Sequence, residues 1–146
     1  MLHHVAIEVT REQAPGCRDF YRLLGFRPVE PPPTLRERAL WLEREGTQVH
    51  LLFTQEPTPA PEGHLAVVVE DYDRVLESLC AGGHPPQPRA EHWGSPRALV
   101  RDPAGHRVEL MAFPPGRRAG GLRARRPASR VDQGPPRGRS DPERPP

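Results

Sequence analysis

Residues 2–9 read LHHVAIEV, and residues 64–70 read HLAVVVE. Both begin on histidine and continue in β-branched, alternating residues, the pattern of a strand with one buried face. The two stretches also share their downstream order of elements. After the first, Thr10 is a candidate N-cap and Pro15 fits only a first helical turn. Cys17, Phe20, Tyr21 and Leu24 then recur at helical spacing, and Gly25 supplies a stop, which predicts a helix over about 12–24. FRPVEP opens a strand that runs into a proline loop. ALWLERE and TQVHLLFTQ read as two more strands turning at Glu45-Gly46.

After PTPAPEG, a proline-rich connector, the order restarts. HLAVVVE is a strand, and Asp71 or Asp73 caps a helix with Tyr72, Val75, Leu76, Leu79 and Cys80 on its apolar face, ended by Gly82-Gly83. A strand near 88–92, the strand SPRALVRD, a DPAG turn and the strand HRVELMAF complete the second half. The period is about 60 residues, from His4 to His64. The expected fold class is therefore α+β, with two βαβββ modules at about 1–56 and 62–113 in one domain of residues 1–115.

The composition divides the chain. Residues 1–115 hold 12 Arg against 16 acids, whereas 116–146 hold 9 Arg against 3, so an acidic body precedes a basic segment. That segment has no aromatic residue and only Leu122 and Val131 as larger aliphatics, too little apolar surface to offset chain ordering. A disordered, solvated extension is the expectation over 116–146; nucleic-acid binding by its Arg is the alternative, weakened by the absence of interleaved aromatics. Every basic residue is Arg, which suggests coding bias. No apolar run approaches the ~20 residues of a membrane helix, and no secretory signal is visible, so a cytoplasmic protein away from membranes is expected. Cys17 and Cys80 both fall on predicted helices and read as two buried thiols rather than a disulfide.

Strand alternation assigns side chains to faces. His3, Val5, Ile7 and Val9 share one face of the first strand and are expected against the helix layer; His4, Ala6 and Glu8 share the other. The same parity sets His50 opposite to Val49, Leu51 and Phe53, and His64 opposite to Leu65, Val67 and Val69. It also sets Glu109 opposite to Val108 and Leu110. His4, His50, His64 and Glu109 thus occupy the first and last strands of each half, on the side away from the helices. A curled mixed sheet with its helices outside would gather them. Three imidazoles and one carboxylate make a ligand set for one divalent ion (Fe, Ni, Co, Mn or Zn) with open positions. Glu8, two residues from His4 on the same face, reads either as a catalytic base or as a rim charge. Glu109 is a second candidate base if a ligand bond opens. His92 and Trp93 either line the mouth of the cleft and touch substrate or are a loop histidine and a packed indole. His84 and His106 are expected in solvent, and Arg101 and Asp102 are expected to shape the turn. Trp41 faces core or cleft.

LHHVAIEV, RDFYRLLGF at 18–26, GHLAVVVED at 63–71 and RDPAGHRVELM at 101–111 together resemble the vicinal oxygen chelate superfamily. Its members include glyoxalase I, bleomycin-resistance proteins, extradiol dioxygenases and methylmalonyl-CoA epimerase. The DPxGxxxEL ending is the most specific part. The resemblance implies paired βαβββ modules curled around a divalent metal, ligands at the four places above, and a homodimer whose metal sites draw strands from two modules. It implies a metal-dependent lyase or isomerase that chelates a small oxygenated metabolite through two oxygens. The alternatives are a non-haem Fe(II) extradiol-type dioxygenase and a bleomycin-resistance-like binding protein. Two positions differ from glyoxalase I, which usually has Glu at the place of His50 and Arg at the place of Glu8.

Overall fold

A computed structural model describes residues 2–116. The first module contains β1 (His4–Val9), α1 (Ala14–Leu23), β2 (Arg27–Val29), β3 (Ala39–Arg44) and β4 (Thr47–Phe53). The second contains β5 (His64–Val68), α2 (Tyr72–Ala81), β6 (Gln87–His92), β7 (Ser95–Arg101) and β8 (Arg107–Met111). Apart from Gly116, the expected disordered extension lies outside the described residues. Among those residues no helix is long and apolar enough to cross a membrane.

The strands form two four-stranded mixed sheets, ordered β1-β4-β3-β2 and β5-β8-β7-β6. In each, the first strand pairs in parallel with the last, and the other pairs are antiparallel. A parallel pair needs a crossover, which the helix and the two intervening strands supply. The apolar faces of both sheets merge with α1 and α2 into one core that includes Val9, Phe20, Tyr21, Leu42, Leu51, Leu79, Val108 and Leu110.

Both helices end, and α2 begins, as their sequences ask; α1 instead starts at Ala14 with Gln13 rather than Thr10 at its N-cap, because Thr10 closes a separate turn before the helix. Thr10 Oγ1 accepts from Gln13 N–H at 3.2 Å, and Gln13 Oε1 accepts from Thr10 N–H at 2.9 Å, a reciprocal pair that starts the turn into α1. Asp71 accepts from Arg74 N–H at 3.4 Å at the start of α2. Both helices close with the same left-handed glycine motif. Phe26 N–H donates to Tyr21 O and Gly25 N–H to Arg22 O; in α2, His84 N–H donates to Leu79 O and Gly83 N–H to Cys80 O. Gly25 and Gly83 have φ of 88° and 82°, a region closed to most residues with a Cβ.

The DPAG turn does more than reverse the chain. Asp102 is 4% exposed. Its Oδ1 accepts from the N–H groups of Ala104 and His106, at 3.0 and 2.9 Å, and its Oδ2 accepts from the Tyr21 hydroxyl at 3.2 Å. Tyr21 belongs to α1, so a second-module turn is fastened into the first module. His106 Nε2–H donates to the carbonyl of Glu8 in β1 at 2.6 Å, a second tie between the modules. Burial pushes the Asp102 carboxyl above its ordinary range, against the opposing pull of its donors.

Four further expectations are corrected by the structure. His106 is buried rather than in solvent, because β1 offers it a carbonyl. His84 is half-buried, with its ring edge-on to Phe20 at 5.1 Å. Cys80 is exposed, since its place on α2 falls just outside the stripe that Leu79 buries. His3 is exposed and lies before the first residue of β1, so strand alternation does not turn it toward the helices.

Candidate metal centre

The parity of the four candidate ligands holds, and the ladder adds their register. Ala6 lies opposite His50 in the β1–β4 pair, and Ala66 lies opposite Glu109 in the β5–β8 pair. His4 and His64 each sit two residues before that alanine. Each module therefore presents the same device: a histidine near the start of its first strand, a small residue next along that face, and a second donor across the ladder from it.

In the first module the donors are rings in a stack. His50 is 6% exposed. The His4 ring lies against it at 4.2 Å with 11° between planes, and Trp41, directly across β3–β4, stacks on it at 4.0 Å and 2°. The indole thus faces the candidate site rather than the core. His50 Nε2–H donates to Gln48 Oε1 at 2.7 Å, which fixes the ring and leaves Nδ1 with its lone pair. Burial, and then the neighbouring His4 and His3, lower the His50 pKa, which keeps the imidazole in the neutral form that binds metals.

In the second module the donors are an imidazole and a carboxylate. His64 Nε2 lies 3.0 Å from Glu109 Oε2, and His64 Nδ1–H donates to the Glu62 carbonyl at 3.3 Å. The ring is thus held between the Glu62 carbonyl and the Glu109 carboxylate. The separation is about that of two adjacent ligands each ~2.1 Å from an octahedral ion. Arg97 Nη1 lies 3.0 Å from Glu109 Oε1 as an ion pair. Its angle falls short of a hydrogen bond, so Glu109 Oε1 and Arg97 Nε are both buried without a hydrogen-bond partner. A buried, underbonded carboxylate oxygen and imidazole nitrogens are donors that suit a divalent ion. Within one chain they come together only as two pairs: among the described residues, no three His, Cys, Asp or Glu side chains are grouped around one point.

A family model described as the glyoxalase/bleomycin resistance protein/dioxygenase superfamily matches residues 1–110. The chain belongs to that superfamily. Glyoxylase I 4 of Arabidopsis thaliana is 26% identical over 114 residues, which cover 77% of this chain and 63% of that protein. This chain therefore spans less than two thirds of the relative's length. Among solved structures, a glyoxalase family protein from Bacillus anthracis superposes with a TM-score of 0.69 at 25% identity, over 76% of this chain and 93% of that one. Lactoylglutathione lyase from Agrobacterium tumefaciens superposes with a TM-score of 0.59 at 20% identity, over 76% and 92%, a likeness of fold.

The remaining candidates of this superfamily member sit farther out. The Glu8 carboxylate is exposed and accepts from Thr58 N–H in the inter-module connector at 2.9 Å. His92 ends β6, and Trp93 forms the tight β6–β7 turn with a φ of 47°. Their rings are 5.7 Å apart; Trp93 is 49% exposed, and its Nε1–H donates to the Phe113 carbonyl at 3.4 Å. Ser95, opposite His92, lies four residues along β7 from Leu99, which faces Glu109. That is roughly 13 Å of strand, so the structure joins His92 and Trp93 to each other and not to the Glu109 pair. Sequence reasoning missed Arg97 and Gln48. Arg97 alternates with Leu99 and Arg101 in SPRALVRD, a signal that could have placed it beside Glu109.

Proposed function

We propose that this chain is a glyoxalase-like metalloprotein. In this reading His4 and His50 of one copy and His64 and Glu109 of a second copy hold one divalent ion at each of two equivalent sites in a homodimer. Its reaction is of the lyase or isomerase kind, on a small oxygenated metabolite bound through two adjacent oxygens. The observation that carries the reading is the matched register of the two donor pairs, each with an alanine opposite its second donor. A repeat conserves packing by default, but packing does not require exposed-face histidines and a buried carboxylate at equivalent places. A twofold assembly brings unlike halves together, which answers why each chain supplies its donors two by two.

When bound, the ion supplies Lewis-acid stabilisation of an enolate or alkoxide. The residues do the rest. Gln48 and the Glu62 carbonyl fix the imidazole orientations. Trp41 shields His50 from water on one ring face. Glu8, on the His4 face of β1, takes the proton from carbon, with Glu109 as the second carboxylate in reach. His92 and Trp93 form the outer rim of the cup.

Complementation tests this reading. H4A/H50A and H64A/E109A chains are each expected to bind no stoichiometric metal. Mixed, unfolded and refolded together, half of the dimers are heterodimers with one intact site, so about a quarter of the metal content returns. No recovery, in a mixture that elutes as a dimer, refutes sites shared between copies. Wild-type protein that takes up no iron, nickel, cobalt, manganese or zinc refutes the metal altogether and leaves a binding protein.

A further inference from the structure

The face of the second sheet turned away from α2 carries two arginine pairs in direct opposition. The ladder sets Arg101 across from Arg107 and Arg89 across from Arg97. Directly opposed side chains stand roughly 5 Å apart, where like charges repel and lower stability. Two such pairs on one face persist when something of opposite charge lies over them. Arg97 is answered by Glu109. Arg107 meets Glu62 at 2.6 Å, and Glu62 is 88% exposed on the connector. Arg101 gives one N–H to the Gly105 carbonyl at 2.6 Å. Arg89 makes no ion pair among the described residues. Arg89, Arg101 and Arg107 together line a cavity of about 390 Å³ with Gln87 and His84, large enough for a small metabolite.

We propose that Arg89, Arg101 and Arg107 bind a small dianion carried by the substrate, a dicarboxylate or a phosphate monoester, and that Glu62 occupies this place in the free protein. Guanidinium groups match carboxylate and phosphate oxygens with paired N–H donors. Glu62 already demonstrates the fit. Its carboxylate takes a hydrogen bond from Arg107 Nη1 at 2.6 Å. Arg107 is also the ladder partner of His64. The anion therefore binds beside the candidate ligands, one strand from His64 and two residues along β8 from Glu109, which selects a substrate whose charged group lies a few atoms from its chelating oxygens. As a statement about substrate this rests on the metal-site reading; as a statement about anion binding it does not.

The experiment is calorimetric titration of inorganic phosphate and of malonate into the full chain, treated with chelator and held at constant ionic strength with chloride. The expected result is one site per chain. R89Q and R101Q each weaken it by about tenfold, and E62Q tightens it by about threefold, as removal of a charged donor and of an internal competitor should. H64A, which probes the metal reading, leaves anion affinity unchanged while abolishing metal uptake. Preference for phosphate assigns a phosphate monoester, and preference for malonate assigns a dicarboxylate. No binding above chloride overturns the proposal, as does wild-type affinity in R89Q and R101Q, unchanged affinity in E62Q, or loss of anion binding in H64A. Both arginine variants relieve a repulsion, so they are expected to melt no lower than wild type; phosphate raises the melting temperature of wild type and E62Q, and raises that of R89Q and R101Q less.

Discussion

In the first module His50 lies between two rings, Trp41 and His4. In the second module Glu109, at the same register position, lies between an imidazole and a guanidinium, His64 and Arg97. The backbone device is repeated, and the chemistry laid on it is not. One half offers neutral nitrogen donors on an apolar, stacked surface. The other offers a buried carboxylate held between an imidazole and a guanidinium. The same divergence runs through the turns between third and fourth strands. Glu45-Gly46 is an open two-residue turn with both residues exposed. Its counterpart, DPAG, has become the fastening between modules. The two halves thus share ladders and helix C-terminal caps, where geometry alone decides. They differ where side chains leave the sheet.

The two turns give the largest expected difference. Asp102→Ala leaves two buried N–H groups and the Tyr21 hydroxyl without their acceptor. At ~1–3 kcal/mol for each stranded group, partly relieved by water, the expected loss is about 3–5 kcal/mol. Glu45→Ala, in an exposed turn, is expected to cost under about 0.5 kcal/mol. Urea unfolding of both variants measures the contrast. Equal midpoints would show that the DPAG turn is an ordinary reversal and that the modules are held together by the core alone.

The donor surroundings give the next. Arg97→Met keeps the aliphatic stem but strands the Glu109 charge, whose side chain is 10% exposed. Stranding a fully buried charge costs about 3–5 kcal/mol, and the partial exposure of Arg97 reduces this to about 2. Trp41→Leu keeps apolar cover and loses a stacked pair, about 1 kcal/mol. In chelator-treated protein R97M should therefore melt below W41L. The reverse order would mean that the ring stack, not the ion pair, organises the face on which the candidate ligands sit.

These contrasts also separate what the sequence makes legible from what only the fold reveals. Strand parity is legible, because Val5, Ile7 and Val9 against His4, Ala6 and Glu8 leave one assignment that buries the apolar set. Helix ends are legible, because Gly25 and Gly83 answer a backbone need local to each helix. Register is not: whether Ala6 or His4 faces His50 depends on pairing across 40 or more residues, and alternation is blind to sliding by two. How the two sheets dispose their donors is equally hidden, since curvature and assembly are set by contacts between modules. His106 is misread from sequence for a related reason. A turn residue is exposed by default, and its acceptor, the Glu8 carbonyl, lies 98 residues away. His3 is misread because alternation does not extend one residue past the strand's first member.

The smallest expected effect concerns the two helices. On α1, Cys17 is buried beside Asp102, and burial, reinforced by that carboxylate, pushes its thiol up to about 12. On α2, Cys80 is exposed. Native protein should therefore take up one equivalent of iodoacetamide at neutral pH, at Cys80, with Cys17 reacting only on unfolding. The raised value sets the sign of the linkage. Below the unfolded thiol's pKa both states keep the proton and nothing changes. Between that value and about 12 the unfolded chain releases a proton that the folded chain retains. Stability should therefore decline as pH rises through this window. Cys17→Ala should flatten the decline, and Cys80→Ala should leave it as it was. Melting curves from pH 8 upward decide between them. Equal slopes in all three proteins would mean that the α1 thiol is open to water, and that the fastening beside it at Asp102 is looser than its hydrogen bonds imply.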